Sequence, residues 1–226
     1  MKTQFDTKLK ELHINHYSIP DGQLKRLQAF IDEFSGDDDF RKNQSTFVYL
    51  RADALASTGA HEEAIEVFNQ LYQDETYIFP TLIAQRIAEQ LLLLKRENEA
   101  FMLVEDALNA KTRPIDRLYL LFFAISNLDD PDTKLKQRSV QIQEISHFMG
   151  IAVPAEYETF SAKITFLRNE NIKASRRYGE MMIKNRALPK HEKIEVLKSY
   201  IEKEEIKEYQ KFAEEAINSI QANNES

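Results

Sequence analysis

Two features constrain the fold of this chain most: turn-forming residues are scarce, and the prolines that remain are spaced by helical-hairpin lengths. Gly and Pro number 5 and 6 among 226 residues, about 5% against roughly 12% in average usage. Sandwiches and barrels need many tight turns, so a chain this poor in them is expected to be all-α. The prolines stand at 20, 80, 114, 131, 154 and 189. Each precedes a stretch with helical periodicity, and proline is tolerated in a first helical turn because its missing N–H would have no partner there. The steps from 80 to 114, 114 to 154 and 154 to 189 are 34, 40 and 35 residues, the length of one helical hairpin with its loops.

Apolar periodicity and helix-start chemistry predict about twelve helices. They fall near 3–14, 20–34, 43–57, 60–72, 79–94, 97–109, 114–127, 132–149, 154–168, 170–184, 190–202 and 204–221. Ser18-Ile19-Pro20-Asp21 and Asp130-Pro131-Asp132 read as helix caps. Gly59 and Gly150 read as turn and C′ glycines. Nothing reads as a strand.

The second helices of the hairpins share one stripe. Ala64, Phe68 and Leu71 are spaced 0, 4, 7, as are Ala100, Val104 and Ala107; Ala174, Tyr178 and Met181; and Ala213, Ile217 and Ile220. A small residue followed one turn later by a large one lets a partner helix approach and then fills the space beside it. In residues 45–72 the stripe extends back across Gly59 to Ala52 and Leu55. This segment resembles a tetratricopeptide repeat (TPR), with Ala52, Ala64, Phe68 and Leu71 at the small, small, aromatic and apolar positions. Residues 81–108 fit through Ala84, Ile87, Ala88, Leu91, Ala100, Val104 and Ala107, but Lys95 stands where glycine is usual. The hairpins from 114, 154 and 189 fit only in outline.

The resemblance implies one TPR-like domain over 1–226, a stack of antiparallel hairpins in a right-handed superhelix. Residues 1–40 would form an N-terminal helical cap, 43–109 the two clearest repeats, 114–202 degenerate repeats, 204–221 a capping helix and 222–226 a frayed tail. In that family the first helix of each hairpin lines a concave groove that binds a peptide or protein. Carrying the register over, the groove-facing residues are Tyr49 and Asp53, then Gln85, Arg86 and Glu89, with Tyr119 and Phe123 from the third hairpin. TPR proteins that clamp a C-terminal carboxylate place Lys and Asn where this chain has Tyr49 and Asp53, so a carboxylate clamp is not expected. A lining of Tyr, Gln, one Arg and two carboxylates suits a segment with basic and apolar side chains.

Enzyme chemistry finds little support. The chain has no Cys, which removes disulfides, thiolate catalysis and cysteine metal sites. His13 and His16 share a helix face but lack further ligands. Asp37-Asp38-Asp39 lacks the alternating oxygens and closing Glu of a calcium loop and reads as an acidic helix cap. No nucleophile elbow or phosphate loop is present. A non-catalytic module without cofactor or metal is expected.

Net charge is -7, which disfavours bulk nucleic-acid binding. It is unevenly spread: residues 21–110 hold 17 acidic and 8 basic side chains (net -9), and 163–198 hold 10 basic and 4 acidic (net +6). Lys173, Arg176, Arg177, Lys184 and Arg186 form an alternative basic patch for an acidic partner or nucleic acid, or for the acidic half of a second copy. The N-terminus lacks the apolar core of a secretory signal, and the longest apolar run, 118–125, is shorter than the ~20 residues a membrane span needs. A cytoplasmic location is expected, and homodimerisation is left open.

Overall fold

The computed structural model describes residues 4–12, 22, 24–74, 77, 79–110 and 112–222. Thirteen α-helices and one 3₁₀ turn account for the ordered elements among them, and no strand is present among the described residues. None of these helices is long and apolar enough to cross a membrane. The chain separates into two compact units, Met1–Lys111 and Thr112–Ser226, where the repeat reading draws one array across 1–226.

Unit 1 contains α1 (Gln4–Glu11), α2 (Leu24–Phe34), the short α3 (Asp38–Lys42), α4 (Gln44–Ser57), α5 (His61–Tyr72), α6 (Pro80–Leu93) and α7 (Glu97–Asn109). Its amino-terminal end is an aromatic cluster: Phe5, Phe30, Phe34, Phe40 and Phe47 are buried together with Leu12, Leu27 and Leu50. Their ring centroids lie 4.8–6.2 Å apart, within the range in which aromatic pairs attract beyond simple area burial. Asp37 caps α3, its side chain accepting from the Asp39 amide at 2.8 Å. The acidic triplet is therefore a helix cap. The expected caps at 18–21 and the His13/His16 pair lie outside the described residues.

From α4 onward each helix packs chiefly on the next in sequence: α4 on α5, α5 on α6, and α6 on α7. The small residues of the stripe sit at these contacts. Ala52, Ala64, Ala84 and Ala88 are fully buried, and Ala100 is 2% exposed. Both hairpins close with the same turn. The Ala60 amide donates to the Leu55 carbonyl at 3.0 Å and the Gly59 amide to Ala56 at 3.1 Å; 36 residues on, Arg96 donates to Leu91 at 2.8 Å and Lys95 to Leu92 at 3.0 Å. This paired pattern is the Schellman motif, which needs a left-handed residue at C′. Gly59 has φ 84° and Lys95 has φ 63°, so Lys95 adopts the glycine conformation despite its side chain.

Unit 2 contains α8 (Pro114–Asn127), α9 (Pro131–Lys134), a 3₁₀ turn (Lys136–Arg138), α10 (Ser139–Met149), α11 (Phe160–Asn185), α12 (Lys190–Lys203) and α13 (Lys207–Ala222). α8 packs on α10 and α11, α11 on α12, and α12 on α13, which also reaches α10 and α11. Two expectations change here. The helix expected at 132–149 is broken at the fully buried Leu135 into α9, the 3₁₀ turn and α10. The helices expected at 154–168 and 170–184 are one 26-residue helix, α11. No Gly or Pro interrupts 160–178, so nothing in the backbone chemistry ends a helix near 169. Pro154 precedes irregular chain, and α11 starts at 160 because Thr159 Oγ1 accepts from the Ala162 amide at 3.1 Å and Asp132 Oδ1 from the Ser161 amide at 2.7 Å. Asp130 lies before α9 in a left-handed conformation and makes no side-chain cap bond. The carboxylate cap that forms is made instead by Asp132 of α9, and it serves the first turn of α11.

Lys95→Gly is expected to raise the unfolding free energy by about 0.5–1 kcal/mol, the left-handed cost relieved less the entropy glycine adds to the unfolded chain. Gly59→Ala should lower it by about 1–2 kcal/mol. Urea unfolding midpoints of the two variants should move in opposite directions.

Candidate functional site

The groove residues expected from the first two hairpins converge in unit 1. Tyr49 and Asp53 lie on α4, and Gln85, Arg86 and Glu89 on α6. Asp53 and Glu89 are 36 residues apart, the same interval that separates the two Schellman turns, so they hold equivalent places in successive hairpins. Both carboxylates bind one guanidinium. Arg86 Nη2 donates to Asp53 Oδ1, and Arg86 Nη1 donates to Glu89 Oε2 at 2.7 Å. Gln85 Nε2 completes the chain by donating to Glu89 Oε1 at 2.9 Å.

Beneath this network lies Phe68 of α5, fully buried. The Arg86 guanidinium stands 5.9 Å from its ring centroid and the Tyr49 ring meets it edge-on at 5.8 Å. The aromatic residue of the first hairpin's stripe is therefore the floor of the site. Burial pulls the Arg86 pKa down, but the Glu89 and Asp53 carboxylates outweigh it and hold the group more firmly protonated than usual. Burial pushes the Tyr49 hydroxyl up, partly offset by Arg86. Tyr49 is thus a neutral hydrogen-bonding phenol at physiological pH. Charged side chains here are 19–28% exposed, neither sealed in the core nor loose in solvent.

The expected groove residues of the third hairpin behave differently. Tyr119 of α8 is 38% exposed, and its hydroxyl accepts from Asn171 Nδ2 at 2.8 Å. Phe123 is 9% exposed and belongs to the core of unit 2. The groove assignment of Phe123 is corrected by its burial, on a helix that is apolar around most of its circumference.

Of the five residues of the basic patch, two are already neutralised within the chain. Lys173 binds Glu170 at 2.6 Å, and Arg177 binds Glu204 through Nη2 at 2.7 Å and Nε at 3.0 Å. Arg168, in the same stretch, lies over the Phe122 ring at 3.9 Å. Arg176, Lys184 and Arg186 are exposed and make no ion pair among the described residues. An open groove of about 500 Å³ follows α11 here, walled by Tyr157 and Phe166 at one end and by Lys173 and Arg176 at the other.

Glu204 is the site residue that sequence reasoning missed. Its side chain is fully buried. It accepts from Arg177 twice, from the Tyr200 hydroxyl at 2.9 Å, and from the Glu205 and Ile206 amides at 3.1 Å each. One carboxylate therefore ties α11 to α12 and anchors the approach to α13. Desolvation pushes its pKa up, but Arg177, the Ile206 amide and Tyr200 together hold it below the usual carboxylate range. Burial and the same hydrogen bond raise the Tyr200 pKa.

No group of His, Asp and Glu suited to hold a metal occurs among the described residues. Compared with known proteins, the chain matches no family model, and no curated protein and no solved structure matches it.

Glu204→Gln should cost about 2 kcal/mol, the value of charge-assisted hydrogen bonds to a buried group. The pH dependence has a definite sign. The folded pKa is depressed below the ordinary 4.5, so the contribution is complete above that value and is lost as pH falls through the folded one. Wild type should lose stability below about pH 4.5 more steeply than the Gln variant in acid titrations followed by circular dichroism.

Proposed function

We propose that α4–α7 form a non-catalytic module that binds a protein or peptide segment on the face carrying Tyr49, Asp53, Gln85, Arg86 and Glu89. The convergence of Asp53 and Glu89 on the single guanidinium of Arg86 carries this reading. Two carboxylates against one cation leave the face with one net negative charge, and Asp53 Oδ2 has no partner among the described residues. Beside it are the half-buried Tyr49 ring and the Gln85 amide. A lysine or arginine side chain fits the spare carboxylate oxygen, and an adjacent aromatic or aliphatic side chain fits Tyr49.

The resemblance of 45–108 to TPR hairpins supports the same reading, as does the sequential packing of α4 to α7. Nucleic-acid binding through the basic patch is less well supported. Lys173 and Arg177 are occupied by Glu170 and Glu204, which leaves few phosphate contacts.

The test uses fluorescently labelled peptides that alternate Lys or Arg with Tyr or Phe, against acidic peptides of the same length. Basic-aromatic peptides should bind, and Asp53→Asn should weaken them about tenfold. Arg86→Gln should have two effects of opposite sign. Stability falls by about 1–3 kcal/mol because two carboxylates lose their shared cation, while basic peptides bind more tightly because the face gains net negative charge. Equal binding of acidic and basic peptides, or no response to either substitution, would refute the proposal.

A further inference from the structure

The outer face of α11 carries one continuous stripe of residues that unit 2 leaves exposed or half-exposed. Thr165, Asn169, Ile172, Arg176, Gly179 and Ile183 follow one another at intervals of 4, 3, 4, 3 and 4 residues, so they form a single stripe of the kind that seams two helices together. Ile164, Leu167, Ala174 and Met181, which are buried, occupy the opposite side.

Three observations mark the stripe as a contact surface. Ile183 is 65% exposed, an apolar side chain presented to water beside the exposed Lys184. Gly179 stands inside a 26-residue helix, where glycine is unfavourable, yet a side chain added there would meet nothing within 4 Å. The chain itself supplies no reason for that glycine. Third, the open groove along α11 is lined by the amino-terminal half of the stripe, including Ile172 and Arg176.

About a point between Arg177 and Tyr178, Ile172 mirrors Ile183 and Arg176 mirrors Gly179. In an antiparallel pair of α11 helices with a two-fold axis at that point, Ile172 of each copy packs on Ile183 of the other. Each Arg176 crosses Gly179 of the other copy, where the missing side chain leaves room for its stem, and reaches Glu180. Arg176 and Glu180 are both exposed and make no ion pair among the described residues. The stripe is therefore complementary to itself in shape and in charge, as a two-fold interface requires.

We propose that the outer face of α11 is the interface of a symmetric homodimer, in which the carboxyl-terminal half of one α11 fills the groove on the amino-terminal half of the other. The occupant of this face is a second copy of the chain. An interface built on one helix pair falls at the low end of the size range, below about 1,200 Å², so association is expected in the micromolar range and to vary with concentration.

Sedimentation equilibrium over that range tests the pairing through charge exchange. Wild type should pass from monomer to dimer. Arg176→Glu alone turns each cross-copy ion pair into two facing carboxylates, and Glu180→Arg alone turns it into two facing guanidinium groups. Each variant by itself should therefore dimerise at least tenfold more weakly. An equimolar mixture of the two restores an opposite-charge pair at both crossings, and its dimer should return to wild-type strength. Gly179→Leu should abolish the dimer while raising the thermal midpoint of the monomer, which separates loss of the interface from loss of the fold. A wild type that stays monomeric throughout would overturn the proposal. So would a dimer indifferent to the single substitutions, or a mixture no stronger than its components, as head-to-tail docking of the acidic half on the basic half would give.

Discussion

The architecture of unit 1 depends on how closely α5 can approach its two neighbours, and alanine sets that distance. Ala52 on α4, Ala64 on α5 and Ala84 and Ala88 on α6 have no exposed surface. A side chain reduced to one methyl group lets helix backbones come near enough for the large residues one turn away to interdigitate. Phe68 is the large residue of the first hairpin, and it also supports Tyr49 and Arg86. The packing that closes the hairpin therefore places the polar face above it. Asp53 and Arg86 meet because α4 and α6 both rest on α5.

Unit 2 solves a similar problem with charge. Glu204 lies where α12 ends and α13 is about to begin, and it makes five hydrogen bonds that draw in α11 and α12. A buried carboxylate is costly unless its lone pairs are filled, and here they are. The consequence is a junction whose strength depends on ionisation. In unit 1 the equivalent task is carried by apolar contact and two Schellman turns. Lys95 shows how firmly that turn is imposed: the packing of α6 on α7 holds a lysine in a glycine conformation.

The helices between 43 and 109 were legible because local signals agree there. Stripe and turn fall at matching points of a 36-residue interval, and the structure places α4 to α7 within a residue or two of the expected bounds. The polar cluster followed from the same register. What stayed hidden has identifiable physical reasons. The expected break near 169 has no Gly or Pro in the chain to enforce it, so α11 runs through it. Phe123 sits in a run so uniformly apolar, LYLLFFAI, that periodicity gives no phase. Glu204 is one of four glutamates in EKEEIKE, a stretch that reads as a solvated face. Only the chain's return past Arg177 and Tyr200 distinguishes it, and that contact spans 27 residues.

Alanine-limited packing of α5 underlies everything placed above it, and Ala64→Leu tests it most directly, with Glu66→Leu on the exposed side of the same helix as the comparison. Chemical unfolding should show a loss of about 1–3 kcal/mol for Ala64→Leu, the cost of forcing extra methylenes into a filled contact, and less than about 0.5 kcal/mol for Glu66→Leu. Equal stability of the two variants would mean that α5 does not approach its neighbours through Ala64, and the placement of Asp53, Arg86 and Glu89 above it would lose its foundation.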